Sequence, residues 1–101
     1  MRTAARVDAN QGEIVAALRG IPGCKVAITS ALGHGFPDLT IGWMGHNYLI
    51  ELKDPAQPPS RRRLTPDEKK FHAQWSGQID IAETFEDCLI VLGIADEPPP
   101  F

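Results

Sequence analysis

Two neighbouring segments in the middle of the chain, residues 39–44 and 47–52, are rich in β-branched and aromatic side chains and alternate with polar ones. Such alternation is typical of half-buried β-strands. Between them stands Gly45-His46, which favours a two-residue hairpin turn. In the register that this turn sets, Thr40 faces Glu51, and Asp38 faces Lys53. The pattern therefore predicts a β-hairpin at the centre of the fold.

Alternation along this hairpin predicts one apolar and one polar face. The apolar face carries Leu39, Ile41, Trp43, Tyr48, Ile50 and Leu52, and the polar face carries Asp38, Thr40, Glu51 and Lys53. On the polar face Asp38 and Glu51 would be diagonal neighbours, with backbones about 7 to 8 Å apart. Such carboxylates repel each other, so either their charge is compensated, in part by Lys53 or fully by a bound cation, or one of them takes a proton. Carboxylate oxygens suit Mg²⁺ or Mn²⁺, whereas zinc would need a His/Cys set.

A first helix is predicted before the hairpin, over residues 8–19, with Asp8 as N-cap and Gln11 at the capping-box position. Ile14 and Leu18 recur at helical spacing and should face the core, which leaves Glu13 beside that stripe. Residues 23–30 predict the first strand.

A second helix is predicted after the hairpin, because Thr65-Pro66 followed by Glu68 forms a capping box with proline at the first helical position. This helix should end at Gly77. A short strand over residues 78–83 and a last helix capped by Thr84 complete the chain. Periodicity leaves residues 91–95 open between helix and strand.

These elements predict a single α/β (α+β) domain over residues 1–101, with a mixed sheet of about four strands flanked by helices. Residues 54–63 contain three prolines and predict a mobile loop next to Lys53, and residues 96–101 predict a flexible tail. No apolar run approaches the roughly 20 residues that a membrane span needs. Cys24 and Cys88 lack metal-ligand spacing and are expected to be reduced core residues.

The chain has 10 basic and 13 acidic residues, which gives a net charge of −3 and argues against a nucleic-acid partner. The distribution of the basic residues along the chain partly offsets this argument. The basic side chains Lys53, Arg61, Arg62, Arg63, Lys69 and Lys70 fall within one segment. Such a stripe beside a metal site would hold a phosphate backbone, and His34 is a further candidate for a phosphate contact. A solvated charge run is the alternative for Arg61 to Arg63.

Pro37-Asp38 followed by Glu51-Leu52-Lys53 resembles the signature of the PD-(D/E)XK nuclease superfamily. On its own such a match also fits a salt-bridged surface hairpin. The flanking Gly33-His34-Gly35-Phe36, the Leu64-Thr65-Pro66 helix start, Phe71-His72 and residues 77–93 extend the likeness to nearly the whole chain. The chain is most similar to the small stand-alone VRR-NUC nucleases of phages and bacteria.

The resemblance implies a restriction-endonuclease-like core of order α-β-β-β-α-β-(α) and a metal-dependent DNA endonuclease, with branched or junction DNA as one expected substrate. It further implies a homodimer, no organic cofactor, and a place in the cytoplasm of a bacterium or phage-infected host. Asp38, Glu51, the Leu52 carbonyl and Glu13 would hold Mg²⁺ or Mn²⁺, and Lys53 would position water or stabilise the transition state. Where the family usually has glutamine this chain has Glu68, for which we expect a capping role. The alternatives are a non-catalytic nucleic-acid-binding or assembly module and an unrelated α/β domain.

Overall fold

The computed structural model describes residues 8–96, which form three helices and a four-stranded sheet. The elements follow in the order α1 (Gln11–Arg19), β1 (Lys25–Ile28), β2 (Leu39–Trp43), β3 (His46–Leu52), α2 (Pro66–Gln74), β4 (Asp80–Ala82) and α3 (Phe85–Leu92). Short 3₁₀ turns, Ser30–Leu32 and Pro59–Arg61, lie in the loops before β2 and α2. The radius of gyration is 13.6 Å, close to the value of about 13 Å for a compact domain of 100 residues.

The sheet is mixed, with the strands in the order β1-β2-β3-β4. β1 and β3 both pair with β2 in antiparallel fashion, whereas β4 pairs with β3 in parallel. Because parallel neighbours need a crossover, α2 lies in the connection between β3 and β4. Helices α1 and α3 contact each other and the sheet. The observed order of elements agrees with the predicted one, and the domain is α+β.

The hairpin turn consists of Met44 and Gly45, not of Gly45 and His46 as the sequence had indicated. Met44 has φ of 51° and Gly45 has φ of 82°. Positive φ at both central residues is the geometry that matches the twist of two paired strands. Trp43 therefore pairs with His46, and the register differs by two residues from the predicted one. A shift of two keeps every side chain on its predicted face. The last observed pair is Leu39 with Ile50, and the same register extended by one residue places Asp38 opposite Glu51.

The apolar face of the hairpin forms the centre of the core, as predicted. Leu39, Ile41, Ile50 and Leu52 are fully buried there. They pack with Ile14, Val15 and Leu18 of α1, with Cys24 and Ala82, and with Cys88 and Leu92 of α3. Burying each large aliphatic side chain contributes about 1.5 to 3 kcal/mol. Both cysteines are buried and unbridged.

The helix starts agree with the prediction at α2 and α3 but not at α1, and α2 ends at Gln74 rather than at the predicted Gly77, because Trp75 already has an extended backbone. Asn10 is the N-cap of α1 in place of Asp8, and its side chain forms no cap hydrogen bond. The Asn10 amide instead donates to the carbonyls of Lys53 and Glu83, at 3.1 and 3.0 Å, and so ties α1 to the ends of two strands. The predicted capping box of α2 and the Thr84 cap of α3 are both present. Gly93, with φ of 78°, ends α3.

The segment between β3 and α2 is held by short local contacts. Asp54 is 8% exposed, and its Oδ1 accepts a hydrogen bond from the backbone of Ala56 at 2.9 Å. Most of the predicted tail, residues 97–101, lies outside the described residues. Between residues 8 and 96, no helix is long and apolar enough to cross a membrane.

Candidate active site

A small cavity of about 90 Å³ lies where the start of β2 and the end of β3 meet the start of α2. Its lining consists of Asp8, Asp38, Glu51, Lys53, Arg61, Arg63, Thr65 and Glu68. Five of these eight residues, namely Asp38, Glu51, Lys53, Arg61 and Arg63, are candidates that the sequence indicated. The polar face of the hairpin is thus covered by the loop between β3 and α2 and by the first turn of α2.

Asp38 is positioned by backbone contacts on both sides. Its Oδ2 accepts a hydrogen bond from the backbone N–H of Leu52 at 2.8 Å, and its own carbonyl accepts one from the backbone of Thr29 at 2.7 Å. The Thr29 hydroxyl donates to the carbonyl of Pro37, also at 2.7 Å. Burial raises the pKa of Asp38 above its usual range, although the hydrogen bond from Leu52 opposes that rise. The side chain is therefore a preorganised acceptor with little freedom to move.

Glu51 is the most deeply buried charged residue of the cluster, with 2% of its surface exposed. Its Oε2 lies 3.5 Å from Lys53 Nζ, while its Oε1 is buried and accepts no hydrogen bond from a donor group within residues 8–96. A protonated Glu51 would itself donate to Glu68 or Asp38. Burial, with the charges of Asp38 and Glu68, raises the pKa of Glu51 to about 10. An unpaired buried carboxylate oxygen is costly, so this position favours either a proton or a cation.

Lys53 connects the strand to α2. Its Nζ donates to Glu68 Oε1 at 2.7 Å, and the residue is 6% exposed. Burial opposes the charged form of Lys53, but the hydrogen bond and the charge of Glu68 outweigh it and raise the pKa of Lys53. The same bond lowers the pKa of Glu68 in spite of burial. Lys53 is therefore an ammonium group fixed within 3.5 Å of Glu51.

Glu68 has two roles at once. Its Oε1 accepts the backbone N–H of Thr65 at 2.9 Å, while its own N–H donates to the Thr65 hydroxyl at 3.2 Å. The expected capping role is therefore confirmed. The bond to Lys53 is an additional role that the sequence did not indicate, because residues fifteen apart meet only through the tertiary fold.

Glu13 does not lie in this cluster. It is exposed and lines a separate cavity of about 400 Å³ with Asn10, Asp54 and Glu83. Asp8, by contrast, lines the cavity together with Asp38, and the negative charge of Asp8 contributes to the raised pKa of Asp38. From the sequence, Asp8 is predicted only to cap a helix. Whether Asp8 reaches the site depends on the path of the chain into α1.

The candidate basic residues divide into separate groups. Arg61 and Arg63 line the cavity beside Asp38 and Glu51. Arg62 instead forms a partly exposed ion pair with Glu83, at 3.5 Å. Lys69 is exposed, while Lys70 and His34 line a different cavity of about 220 Å³ beside Phe71. Only two of the six are therefore placed to contact a phosphate at the carboxylate pair.

The donor set fits a hard divalent cation in part. Within residues 8–96, no three Asp, Glu, His or Cys side chains are grouped so that together they would hold a metal ion. Mg²⁺, however, is usually bound by only one or two carboxylates together with waters and substrate phosphate. The unpartnered Glu51 Oε1, on the strand opposite Asp38, is the kind of acceptor that such an ion would satisfy. The predicted contribution of the Leu52 carbonyl stays a prediction.

Comparison with protein-family models, characterised proteins and solved structures gives no significant match.

Proposed function

We propose that this protein is a Mg²⁺-dependent DNA endonuclease of the PD-(D/E)XK type, with a restriction-endonuclease-like core. The observation that carries the proposal is the pair of buried carboxylates Asp38, just before β2, and Glu51, on β3. Within the described residues Glu51 Oε1 accepts no hydrogen bond, and an ammonium lies 3.5 Å from its other oxygen. Structural ion pairs rarely leave a buried carboxylate oxygen without a partner. A cluster with perturbed pKa values in a cavity is a candidate for catalysis.

Asp38 and Glu51 would hold the metal ion, with Asp8 close by and the Leu52 carbonyl as a further oxygen. A divalent ion at such a site polarises the phosphate and lowers the pKa of water. Mn²⁺ has the same preference for oxygen ligands and serves as a probe.

The other residues of the cavity would act on the substrate directly. Lys53 carries a fixed positive charge, and we assign it the orientation of the attacking water and the stabilisation of negative charge in the transition state. Glu68 keeps that ammonium in place. Arg61 and Arg63 would hold phosphates on either side of the scissile bond, since guanidinium groups bind phosphate oxygens through paired hydrogen bonds.

The test is cleavage of linear, nicked and branched DNA by the purified protein, with Mg²⁺, Mn²⁺ or chelator. We expect metal-dependent cleavage by the wild type and a loss of about 100-fold or more in Asp38→Asn, Glu51→Gln and Lys53→Met, the scale of removing one catalytic electrostatic contact. Glu86→Gln, a similar charge removal on the exposed first turn of α3, should cleave normally. Cleavage that persists in Asp38→Asn, or that ignores chelator, would overturn the proposal.

One observation favours a second candidate, a non-catalytic nucleic-acid-binding module. Lys53 already has a carboxylate partner at 2.7 Å, which is the arrangement of a structural ion pair. A module of this kind would bind DNA in a salt-sensitive manner and leave it intact in both Mg²⁺ and Mn²⁺.

A further inference from the structure

Three aromatic side chains, Phe36, Phe71 and Trp75, form a cluster on the surface of α2; we call them the aromatic cluster. The rings of Phe71 and Trp75 are stacked, with centroids 5.1 Å apart and planes 18° apart. Phe36 meets both rings edge-on, at 5.4 and 6.5 Å. Although one face of its ring is covered by Phe71, Trp75 is 41% exposed. Phe71 covers one face of the Trp75 ring, and Gly77 lies close to its indole nitrogen, so the exposed part of the ring is free to contact another flat group.

The aromatic cluster is linked to the candidate active site along the chain in two places, the loop before β2 and helix α2. Phe36 precedes Asp38 by two residues, and Glu68, Phe71 and Trp75 follow each other at the spacing of a single helix face. At a rise of about 1.5 Å per residue, Trp75 lies about 10 Å beyond Glu68 along α2. About three stacked nucleotides of one strand span that distance, at about 3.4 Å each.

A cavity of about 220 Å³ lies beside Phe71, one of the three rings, and is lined by His34, Asp67, Lys70, Phe71 and Gln74. It is smaller than the roughly 300 Å³ of ordinary small-molecule sites, so it suits one flat group rather than a whole ligand. Lys70 and His34 supply cationic or hydrogen-bonding groups for a phosphate, and Gln74 carries an amide suited to a base edge. Asp67 is the one acidic group in this lining.

We propose that the aromatic cluster binds an unpaired nucleobase, stacked on Trp75, from a single-stranded stretch of DNA that leads into the active site. The bases of an intact duplex are already stacked on both faces, so only a flap, an overhang or an unpaired junction nucleotide offers a free face. Stacking on an aromatic ring beside cationic groups is the general mode of single-strand binding. This inference rests on the proposed function, because it names the class of DNA that the nuclease would take.

The chain contains two tryptophans, Trp43 and Trp75, so Trp43→Phe leaves Trp75 as the sole tryptophan. In an Asp38→Asn background and in chelator, so that no DNA is cut, this variant is titrated with oligo-deoxythymidine and with a blunt duplex of equal length. We expect saturable quenching of Trp75 fluorescence by the single strand and much weaker quenching by the duplex. Equal quenching by both, or none, would overturn the inference.

Two further variants test whether stacking and charge act where the structure places them. Trp75→Leu should bind the single strand about tenfold more weakly, since one stacked base contributes roughly that much. Lys70→Ala should weaken binding and lower its salt dependence, whereas Lys25→Ala, on the exposed edge strand β1, should not. Unchanged single-strand binding in Trp75→Leu contradicts the inference.

The two proposals fail separately in these experiments. Metal-dependent cleavage without quenching of Trp75 would remove the stacking site and leave the nuclease. Quenching selective for the single strand, in a wild-type protein that cleaves nothing, would support the stacking site and remove the nuclease.

Discussion

The carboxylate of Asp38 accepts a hydrogen bond from the backbone N–H of Leu52, with 2.8 Å between Oδ2 and N. This bond crosses from the segment before β2 to the end of β3 and holds Asp38 close to Glu51, whose pKa the charge of Asp38 helps to raise. It also ties the segment that leads into β2 to the end of β3. One side chain therefore serves both the fold and the site.

The two roles of Asp38 are separated by comparing Asp38→Asn with Asp38→Ala. Asparagine keeps an acceptor for the Leu52 N–H, whereas alanine leaves that buried N–H unsatisfied, at a cost of about 1 to 3 kcal/mol. We expect both variants to lose cleavage but only the alanine variant to lose that much stability, measured by urea unfolding in chelator. Equal stability of the two variants would show that the hydrogen bond contributes nothing.

Glu51→Gln tests the metal site without any need for activity. In chelator this variant should unfold at higher urea than the wild type, because it removes a buried carboxylate whose charged form is disfavoured. Mn²⁺ should stabilise the wild type by about 2.7 kcal/mol at 100 times its Kd. It should stabilise Glu51→Gln far less, while Glu86→Gln should respond as the wild type does. An equal response in Glu51→Gln would place the ion elsewhere.

The loop before Asp38 docks on α2 through Gly35. A Cβ atom at Gly35 would overlap the backbone carbonyl of Asp67, and the residue has φ of 81°. Gly33, with φ of 73°, has open space around its Cα. Gly33→Ala therefore carries the strain of positive φ alone, about 1 to 3 kcal/mol, whereas Gly35→Ala carries that strain and a backbone clash. We expect Gly35→Ala to lower the melting temperature considerably more, and similar losses would refute the docking contact.

Cys88 gives the stability of the fold a pH dependence away from the site. Burial, with a smaller contribution from Asp87, raises the pKa of this thiol to about 12. Between the unfolded-state pKa of about 8.5 and about 12, the folded protein keeps a proton that the unfolded chain has lost, so the free energy of unfolding falls as pH rises. The slope from this group is at most about 1.4 kcal/mol per pH unit.

Cys88→Ala removes that titration but leaves a small cavity. The variant should thus be less stable than the wild type at pH 7, and the difference between the two should narrow between pH 9 and pH 11. Urea unfolding at four or five pH values measures the difference directly. A gap that stays constant over this range would show that the thiol does not titrate with folding.

The hairpin shows why the faces of the sheet were predictable from sequence although the register was not. Alternation fixes which side chains share a face, and a shift of two residues preserves that partition. The turn itself was misplaced because Met44 is a poor candidate for positive φ, so that Gly45-His46 was the stronger local signal. Pairing of the flanking strands overrides this preference, and it brings Asp38 opposite Glu51 rather than diagonal to it.

Other parts of the site depend on tertiary contacts that no local pattern records. The position of Asp8 near Asp38, and of Glu13 in another cavity, follows from the entry of the chain into α1. That entry is set by Asn10, whose amide reaches carbonyls 43 and 73 residues away. The aromatic cluster likewise joins Phe36 to α2 across the fold. The spacing of apolar residues along the chain predicts the helices and strands. The long-range contacts of Asn10 decide which acidic side chain reaches the cavity.

Glu68 is the residue at which this chain departs from the pattern it resembles, and two substitutions define its role. Glutamine can still accept both the Thr65 N–H and the Lys53 ammonium through its amide oxygen, whereas alanine removes the capping acceptor and frees Lys53. We expect Glu68→Gln to keep near-normal stability and most of its cleavage. Glu68→Ala should lose about 1 kcal/mol from the cap, and more than tenfold in cleavage because Lys53 is no longer held in place.

A second variant, Thr65→Ala, separates the two roles of Glu68, which are to cap α2 and to hold the Lys53 ammonium. This variant removes the other half of the capping box but leaves Glu68 beside Lys53. If positioning matters, Thr65→Ala loses stability but little cleavage, and Glu68→Ala loses both. Equal effects of the two variants on cleavage, measured at matched folded fraction, would reduce Glu68 to a helix cap. The position of the Lys53 ammonium would then be set by Glu51 alone.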